Sequence, residues 1–280
     1  RETHEGYVTD LITDFSLEWL RHRDRSKPFL LLSQHKATHR EWSPPLRHLG
    51  WHKDRQFAEP ETLFDDYANR GRAEHEQDMT LAKTFTRLDA KLDTPRSLNA
   101  AQRKVWDAYY APRNQEFIQA NLTGKDLVRW RYQRYMHDYL GVALAVDDSV
   151  GRLLKYLDDE GLADNTLVVF SSDQGFFLGE HGWFDKRWIY EESLTTPLII
   201  RWPGVAQSGS RNTNLVSVLD FPETFLEAAG LPVPADMQAR LADCPGGGGD
   251  KCVPDDFIRT GGNFIPATCP SVGGVEGRCL

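Results

Sequence analysis

The run DLVRWRYQRYMHDYLGVALAVDDSVGRLLKYLDDEGL constrains the fold more than any other stretch of the chain. Met136, Leu140, Ala143, Val146, Val150, Leu153 and Leu157 recur at three- and four-residue intervals, the period of one helix face. Gly161 stands where a helix C-cap belongs. NTLVVFSS follows at once and reads as a strand rich in β-branched residues; TPLIIRWPG, further on, reads as its neighbour. DFPETFLEAAG then makes a compact helix, with Asp220 as N-cap, Pro222 in the first turn and Gly230 as the stop.

Upstream, GYVTDLITDFSLEWLRHRDRSKP sets Leu11, Phe15 and Trp19 at helical spacing, and PFLLLSQ after Pro28 reads as a short strand. Strands that are apolar on both faces and alternate with helices predict an α/β fold: a mixed, mostly parallel sheet flanked by helices on both faces. The charged stretch from Trp42 to about Thr123 has no clear period and reads as loops and short helices over a site or a face.

A net charge of -8 argues against nucleic acid, because phosphate binding needs a basic face. An anionic substrate would therefore need cations gathered locally. No apolar run is long enough for a membrane span. The four cysteines, Cys244, Cys252, Cys269 and Cys279, all fall late, so packing rather than disulfides must hold what precedes them. Beyond Pro234 the apolar pattern fades into a glycine run. The chain is therefore divided into a domain over 1–236 and a Gly/Cys-containing, poorly ordered tail over 237–280.

Chemistry concentrates at strand exits, where α/β sheets gather ligands. Asp173 and Gln174 leave NTLVVFSS and offer carboxylate and amide oxygens, a set that suits calcium or magnesium better than zinc. An Asx turn before Gly175 is the alternative. His181 and Lys186 follow in GEHGWFDK, with Trp183, Phe184 and Trp188 placed to exclude water around the lysine, which strengthens a cation against an anionic transition state. HKATHREW puts His35, Lys36, His39 and Arg40 after PFLLLSQ, where histidines and cations can bind an oxyanion and protonate a leaving group.

SSDQGFFLGEHGWFDKRWIYEESLTTPLIIRWPG, together with HKATHREW, resembles the type I sulfatases of the alkaline phosphatase superfamily, from about Gly6 to Ala235. GYVTDLITDFSLEWL is similar to the bacterial glycan exosulfatases, including those acting on N-acetylhexosamine 6-sulfates. The resemblance implies an alkaline phosphatase-like fold and a sulfated carbohydrate as substrate. It implies calcium bound by Asp173 and Gln174, with Lys186 on the sulfate and His39 on the sulfate or bridging oxygen. Lys36, Arg40 and His181 become candidate substrate-pocket residues, and the parent protein is expected to be periplasmic or secreted.

The family nucleophile is a formylglycine made from the cysteine of C-x-P-x-R. Here the nearest match, CVPDD at Cys252, has Asp256 in place of the arginine, and CPSVG at Cys269 fails at both proline and arginine. The early Asp-Asp pair of the calcium site is also missing. The expectation is an incomplete sulfatase domain, a fragment inactive by itself. Two alternatives stay open. One is a phosphatase or phosphodiesterase of the same superfamily, although the loop after Asp173 adds only His181 for a second metal. The other is a non-catalytic, sulfated-glycan-binding remnant.

Overall fold

The structure is a computed structural model that describes residues 2–214 and 216–237. In chain order its elements are α1 (Val8–His22), α2 (Arg72–Glu76), α3 (Ala100–Ala120), α4 (Gly124–Asp159), β1 (Val168–Ser171), β2 (Phe177–Leu178), β3 (Phe184–Asp185), α5 (Glu191–Leu194), β4 (Leu198–Arg201) and α6 (Asp220–Ala228). They fall into two compact units: Arg1–Glu160 with Gln174–Thr195, and Gly161–Asp173 with Thr196–Leu280. Apart from Met237, the tail expected over 237–280 lies outside the described residues.

In the first unit α4 is the long helix that the periodicity predicts. Asp126 in its first turn complements the positive end of the helix dipole, and Gly161, at φ +65°, follows its end. The helix faces the core with Tyr132, Tyr135, Met136, Val142 and Ala145. Gly141 lies where Pro44 crosses the helix; a Cβ there would meet Pro44 Cβ at 2.9 Å, so the crossing needs glycine.

Alongside α4 runs α1, but with a different face inward from the one its leucine and aromatics suggest. Thr9, Thr13, Ser16, Leu17 and Leu20 are buried, whereas Phe15 and Trp19 are 44% and 46% exposed. The reason is close approach. Thr13 and Ser16 return their hydroxyls to the carbonyls of Thr9 and Ile12, each at 2.8 Å, and Thr13 Oγ1 meets Ser149 Oγ at 2.6 Å.

The charged stretch between Trp42 and Thr123 contains a full helix that its composition hides. A reciprocal capping box starts α3, in which Asn99 and Gln102 each accept from the other's backbone N–H at 2.9 Å. Only Trp106 and Tyr110 of α3 are buried, which is too few to print a period. Tyr110 donates to Asp138 Oδ1 at 2.6 Å, and Lys91 Nζ lies 3.8 Å from Asp138 Oδ2. Burial pushes the Asp138 carboxyl up and the Lys91 ammonium down, each toward its neutral form.

The core centres on Trp42, which is fully buried. Its ring lies 4.4 Å from Tyr135, 5.8 Å from Phe184, 6.2 Å from Phe85 and 6.2 Å from Phe176. One side chain thereby ties the 35–42 loop to α4, to the middle of the chain and to the β2–β3 hairpin.

In the second unit β1 and β4 pair antiparallel, from Val168 opposite Arg201 to Ser171 opposite Leu198. LVVFSS and PLIIRW are thus neighbours as expected. Both described pairs, β1–β4 and β2–β3, are antiparallel, and no parallel pairing occurs among the described residues. PFLLLSQ is not a strand here, because no ladder partner lies beside it among the described residues. Asp220 opens α6 as its first helical residue rather than as its N-cap, accepting from the Ser217 N–H at 2.7 Å.

Trp42→Ala should lower the unfolding free energy by about 3–5 kcal/mol, the cost of emptying a large aromatic site in a core. Urea unfolding of the full chain followed by near-UV circular dichroism checks this, and a loss below about 1 kcal/mol would refute the central role of the indole.

Candidate active site

Two segments of the first unit carry the expected site residues other than Asp173, and both rest on the Trp42 cluster. The first is the 35–42 loop. His39 is exposed, and its Nδ1 lies 2.8 Å from the Arg40 carbonyl. A carbonyl only accepts, so Nδ1 carries the hydrogen and Nε2 is the ring nitrogen left to exchange a proton with a ligand. Lys36 is exposed, and His35 Nε2 pairs with Ser149 Oγ at 2.9 Å.

Arg40 is turned inward. It donates from Nε to Asp89 Oδ1 at 2.7 Å and from Nη2 both to Asp89 Oδ2 and, at 3.0 Å, to the Thr84 carbonyl, while its guanidinium lies 5.0 Å from the Phe184 ring centroid. Asp89 is fully buried and also accepts from the N–H and hydroxyl of Thr86, each at 2.7 Å. Burial works against the Asp89 carboxylate, but the Arg40 and Thr86 hydrogen bonds outweigh it and hold the group below the usual carboxylate range. Arg40 is therefore placed to fix the loop, leaving Lys36 and His39 as its exposed basic groups.

The second segment is the turn from Gln174 to Tyr190. Gly175 has a steric requirement, since a Cβ would sit 2.2 Å from the Glu192 carbonyl oxygen and 2.5 Å from that of Thr195. His181 is 7% exposed and donates from Nδ1 to Asp65 Oδ2 at 2.6 Å. Its N–H donates to Thr62 Oγ1 at 3.0 Å, and its carbonyl accepts from Tyr67 Oη at 2.6 Å. Trp183 Nε1 also donates to Tyr67 Oη, at 2.9 Å. Burial opposes ionisation of Asp65, yet the His181 hydrogen bond and the Tyr67 N–H keep its carboxyl below its ordinary value. These contacts make His181 the bolt between the turn and the 62–67 segment.

Lys186 has a side chain only 10% exposed, as expected from its aromatic neighbours, although the nearby ring is Phe176, at 5.7 Å, rather than a tryptophan. Its Nζ pairs with Asp185 Oδ1 at 3.2 Å, while Arg187 Nη2 pairs with Asp185 Oδ2 at 3.1 Å. Asp185 is buried and at φ +69°. The sequence reading missed Asp185 and Arg187 as site residues; the signal was an acid set directly between an aromatic and two cations. Phe176 and Phe184 flank Trp42, so Lys186 and the Arg40 loop share one aromatic platform.

Asp173 is exposed, with Ser172 Oγ 3.4 Å from its Oδ1, and Gln174 is half-buried. The two are bonded neighbours, although Asp173 belongs to the second unit and Gln174 to the first. A carboxylate beside an amide oxygen fits a hard divalent cation in donor type. Among the described residues no group of three or more His, Cys, Asp or Glu side chains forms a metal cluster.

Asp89→Asn should destabilise the chain by about 2–3 kcal/mol, less than the roughly 3–5 of a fully buried pair because Arg40 is 30% exposed. The folded Asp89 binds its proton more weakly than the unfolded residue, whose pKa is about 3.9. Its contribution should therefore be constant above about pH 5 and lost as the pH falls through the folded value. Urea midpoints of the two proteins should converge below about pH 4, and a gap independent of pH would refute the assignment. Gly175→Ala should separately destabilise the chain by the roughly 1–3 kcal/mol of overpacking against backbone, read as a lower urea midpoint.

A model of the Sulfatase family matches residues 1–231. The chain is 47% identical over 250 residues to an N-acetylglucosamine-6-O-sulfatase of Bacteroides thetaiotaomicron, covering 84% of this chain and 45% of that protein. It is 26% identical over 236 residues to an arylsulfatase of Clostridium perfringens, covering 83% and 40%. A solved structure described as a complex with its substrate D-glucosamine-2-N,6-O-disulfate superposes with a TM-score of 0.81 at 46% identity, over 84% of this chain and 51% of that one. A putative sulfatase from Bacteroides thetaiotaomicron, 17% identical, shares the fold with a TM-score of 0.54 over 84% and 47%. The chain spans about half the length of the relatives it matches, and its helices and small sheets agree with an incomplete α/β domain of alkaline phosphatase-like fold. It belongs to the Sulfatase family.

Proposed function

We propose that the chain is part of a sulfuric ester hydrolase that acts on a sulfated amino sugar in a glycan. The observation that carries this reading is the convergence of the His39 loop and the Lys186 turn on one aromatic platform, in a chain 47% identical to an N-acetylglucosamine-6-O-sulfatase. His39 and Lys186 are the catalytic groups. Lys186, largely withdrawn from water, offsets charge on the sulfate oxygens, where a low local dielectric makes a cation more effective. His39, with Nδ1 anchored, holds a proton on Nε2 for the departing sugar oxygen. Lys36 adds exposed positive charge for an anionic glycan, while Arg40 and His181 keep the two segments in place.

Asp173 and Gln174 are the proposed ligands of a divalent cation, calcium by their oxygen donors, which when bound would polarise the sulfate. Two side-chain oxygens fall short of the roughly six to eight that calcium takes, so further ligands must come from elsewhere. The nucleophile must too, because no C-x-P-x-R occurs in the sequence. That same lack favours the second reading, a sulfated-glycan-binding remnant without catalysis. Glycan substrates point to export of the parent protein to the periplasm or beyond; no helix among the described residues is long and apolar enough to cross a membrane.

The chain alone should release no sulfate from glucosamine 6-sulfate with calcium present, and release by the purified chain would overturn the assignment of the nucleophile to another segment. In a longer protein carrying that segment, Lys186→Ala should lower kcat on the order of 10²–10³-fold with the fold intact, as for removal of one donor to a developing anion. An unchanged kcat would remove Lys186 from the mechanism.

A further inference from the structure

Trp130, Gln133, Arg134, His137 and Asp138 recur at three- and four-residue spacing along α4, on the side turned away from Tyr135 and Tyr139. With one face of α3 and the 53–56 segment they line a cavity of about 380 Å³, within the roughly 300–1,000 Å³ of small-molecule sites. No residue proposed above for sulfate chemistry lines it.

The charges on its wall are lopsided. Lys53, Arg113 and Arg134 all line the cavity, and none of them forms an ion pair among the described residues. Glu116 lines it too and is equally unpaired. Asp138 is 3% exposed and is balanced by the buried Lys91, 3.8 Å away. The wall therefore sets three cations against one acid, in a chain whose net charge is -8. Such a local excess is what an anion needs when the overall field repels it.

Both guanidiniums are held in place at one nitrogen and left open at the others. Arg113 lies 4.0 Å from the Tyr109 ring centroid and donates from Nη1 to the Tyr109 carbonyl at 2.8 Å. Arg134 is 9% exposed and lies 4.9 Å from the Trp130 centroid and 5.3 Å from that of Tyr110. Its Nη1 donates to the Ala90 carbonyl at 2.9 Å and to Asn114 Oδ1 at 3.2 Å. In neither arginine does Nε or Nη2 donate to any group among the described residues. That Nε–Nη2 edge is the fork that pairs with two oxygens of one oxyanion. Bracing the helices uses Nη1 alone and accounts for neither open fork. A buried guanidinium with unused donors is costly until an acceptor meets it.

We propose that this cavity is a second ligand site, which binds a monosaccharide-sized carboxylate or sulfate through the open forks of Arg113 and Arg134. The rings fix both forks before the ligand arrives, which lowers the cost of ordering them. Lys53, exposed beside them, adds attraction at longer range. A bare inorganic anion would leave most of the 380 Å³ unfilled, whereas a sugar acid fills it and carries the same oxyanion. The site rests on the donors of this cavity and not on the His39–Lys186 chemistry.

Isothermal titration calorimetry of the full 280-residue chain tests this, with glucuronate, glucosamine 6-sulfate, neutral N-acetylglucosamine and inorganic sulfate as separate probes. At least one of the two sugar acids should bind with a Kd on the order of 1 mM or tighter. The neutral sugar and inorganic sulfate should each bind at least about tenfold more weakly. Whichever sugar acid binds more tightly identifies the oxyanion as carboxylate or sulfate. Arg113→Gln should weaken that binding at least about tenfold with an unchanged urea midpoint, since its side chain is only half-buried. Glu116→Gln removes the one unpaired acid from the wall and should tighten binding roughly two- to fivefold, an effect that a purely structural cluster would not show. Lys186→Ala should leave binding at this cavity unchanged.

The proposal is overturned if neither sugar acid binds more tightly than N-acetylglucosamine, if inorganic sulfate binds as tightly as the sugar acids, or if either cavity variant binds like the parent chain. Loss of binding in Lys186→Ala would place the ligand elsewhere and equally overturn it. Glucuronate has no sulfate ester, so its binding and the release of sulfate are separate readouts. Binding without release in the longer protein leaves the cavity standing and counts against the proposed activity, and release without binding does the reverse.

Discussion

The first unit depends on the burial of one indole. Trp42 sits at the end of the loop that carries His39, and rings from α4, the middle of the chain and the β2–β3 hairpin close around it. Segments more than a hundred residues apart in sequence therefore meet on one side chain. Aromatic pairs at these distances contribute about 0.5–1.5 kcal/mol each beyond the area they bury, so the cluster is both large and directional. With Trp42 in place, the loop and the turn have little choice of relative position.

Around that apolar centre the polar contacts work as bolts. Arg40 crosses from the loop to the buried Asp89, and His181 crosses from the turn to Asp65 and Thr62. Each carboxylate is kept ionised against the cost of burial by a basic partner and by backbone or hydroxyl donors. The consequence for function is a division of labour within one short motif. In HKATHREW the inward Arg40 and Trp42 hold the backbone, and Lys36 and His39 face solvent, where the proposed reading sets them against an anion. The charged stretch from Trp42 to Thr123 supplies the receiving ends of these bolts, which explains why it is rich in acids yet packed rather than floppy.

Much of the candidate site was proposed from the sequence because its chemistry is local in sequence. The acid and amide after a β-branched strand, the lysine beside aromatics and the paired histidines each occupy a few adjacent residues, and together they carried the family resemblance. The long helix was equally legible, since seven apolar residues at one period leave no alternative element. The helix α3 was not, because only Trp106 and Tyr110 point inward and a capping box is a two-residue signal in an 82-residue charged stretch, from Trp42 to Thr123. The buried face of α1 was misread for a related reason: threonine and serine, which can bond their own helix, pack tightly against α4 while phenylalanine and tryptophan stay outside.

By itself, then, the sequence determined α1, α4, α6 and the β1 and β4 strands, the candidate catalytic groups and the absence of a C-x-P-x-R nucleophile motif, because these depend on neighbours along the chain. Tertiary structure alone decided which of those groups face outward. Nothing in HKATHREW says that Arg40 will find Asp89, 49 residues away, or that His181 will find Asp65, 116 residues away. It also decided that PFLLLSQ remains an extended segment and not a strand. A strand is a relation between two segments, and its hydrogen bonds exist only when the second one is present.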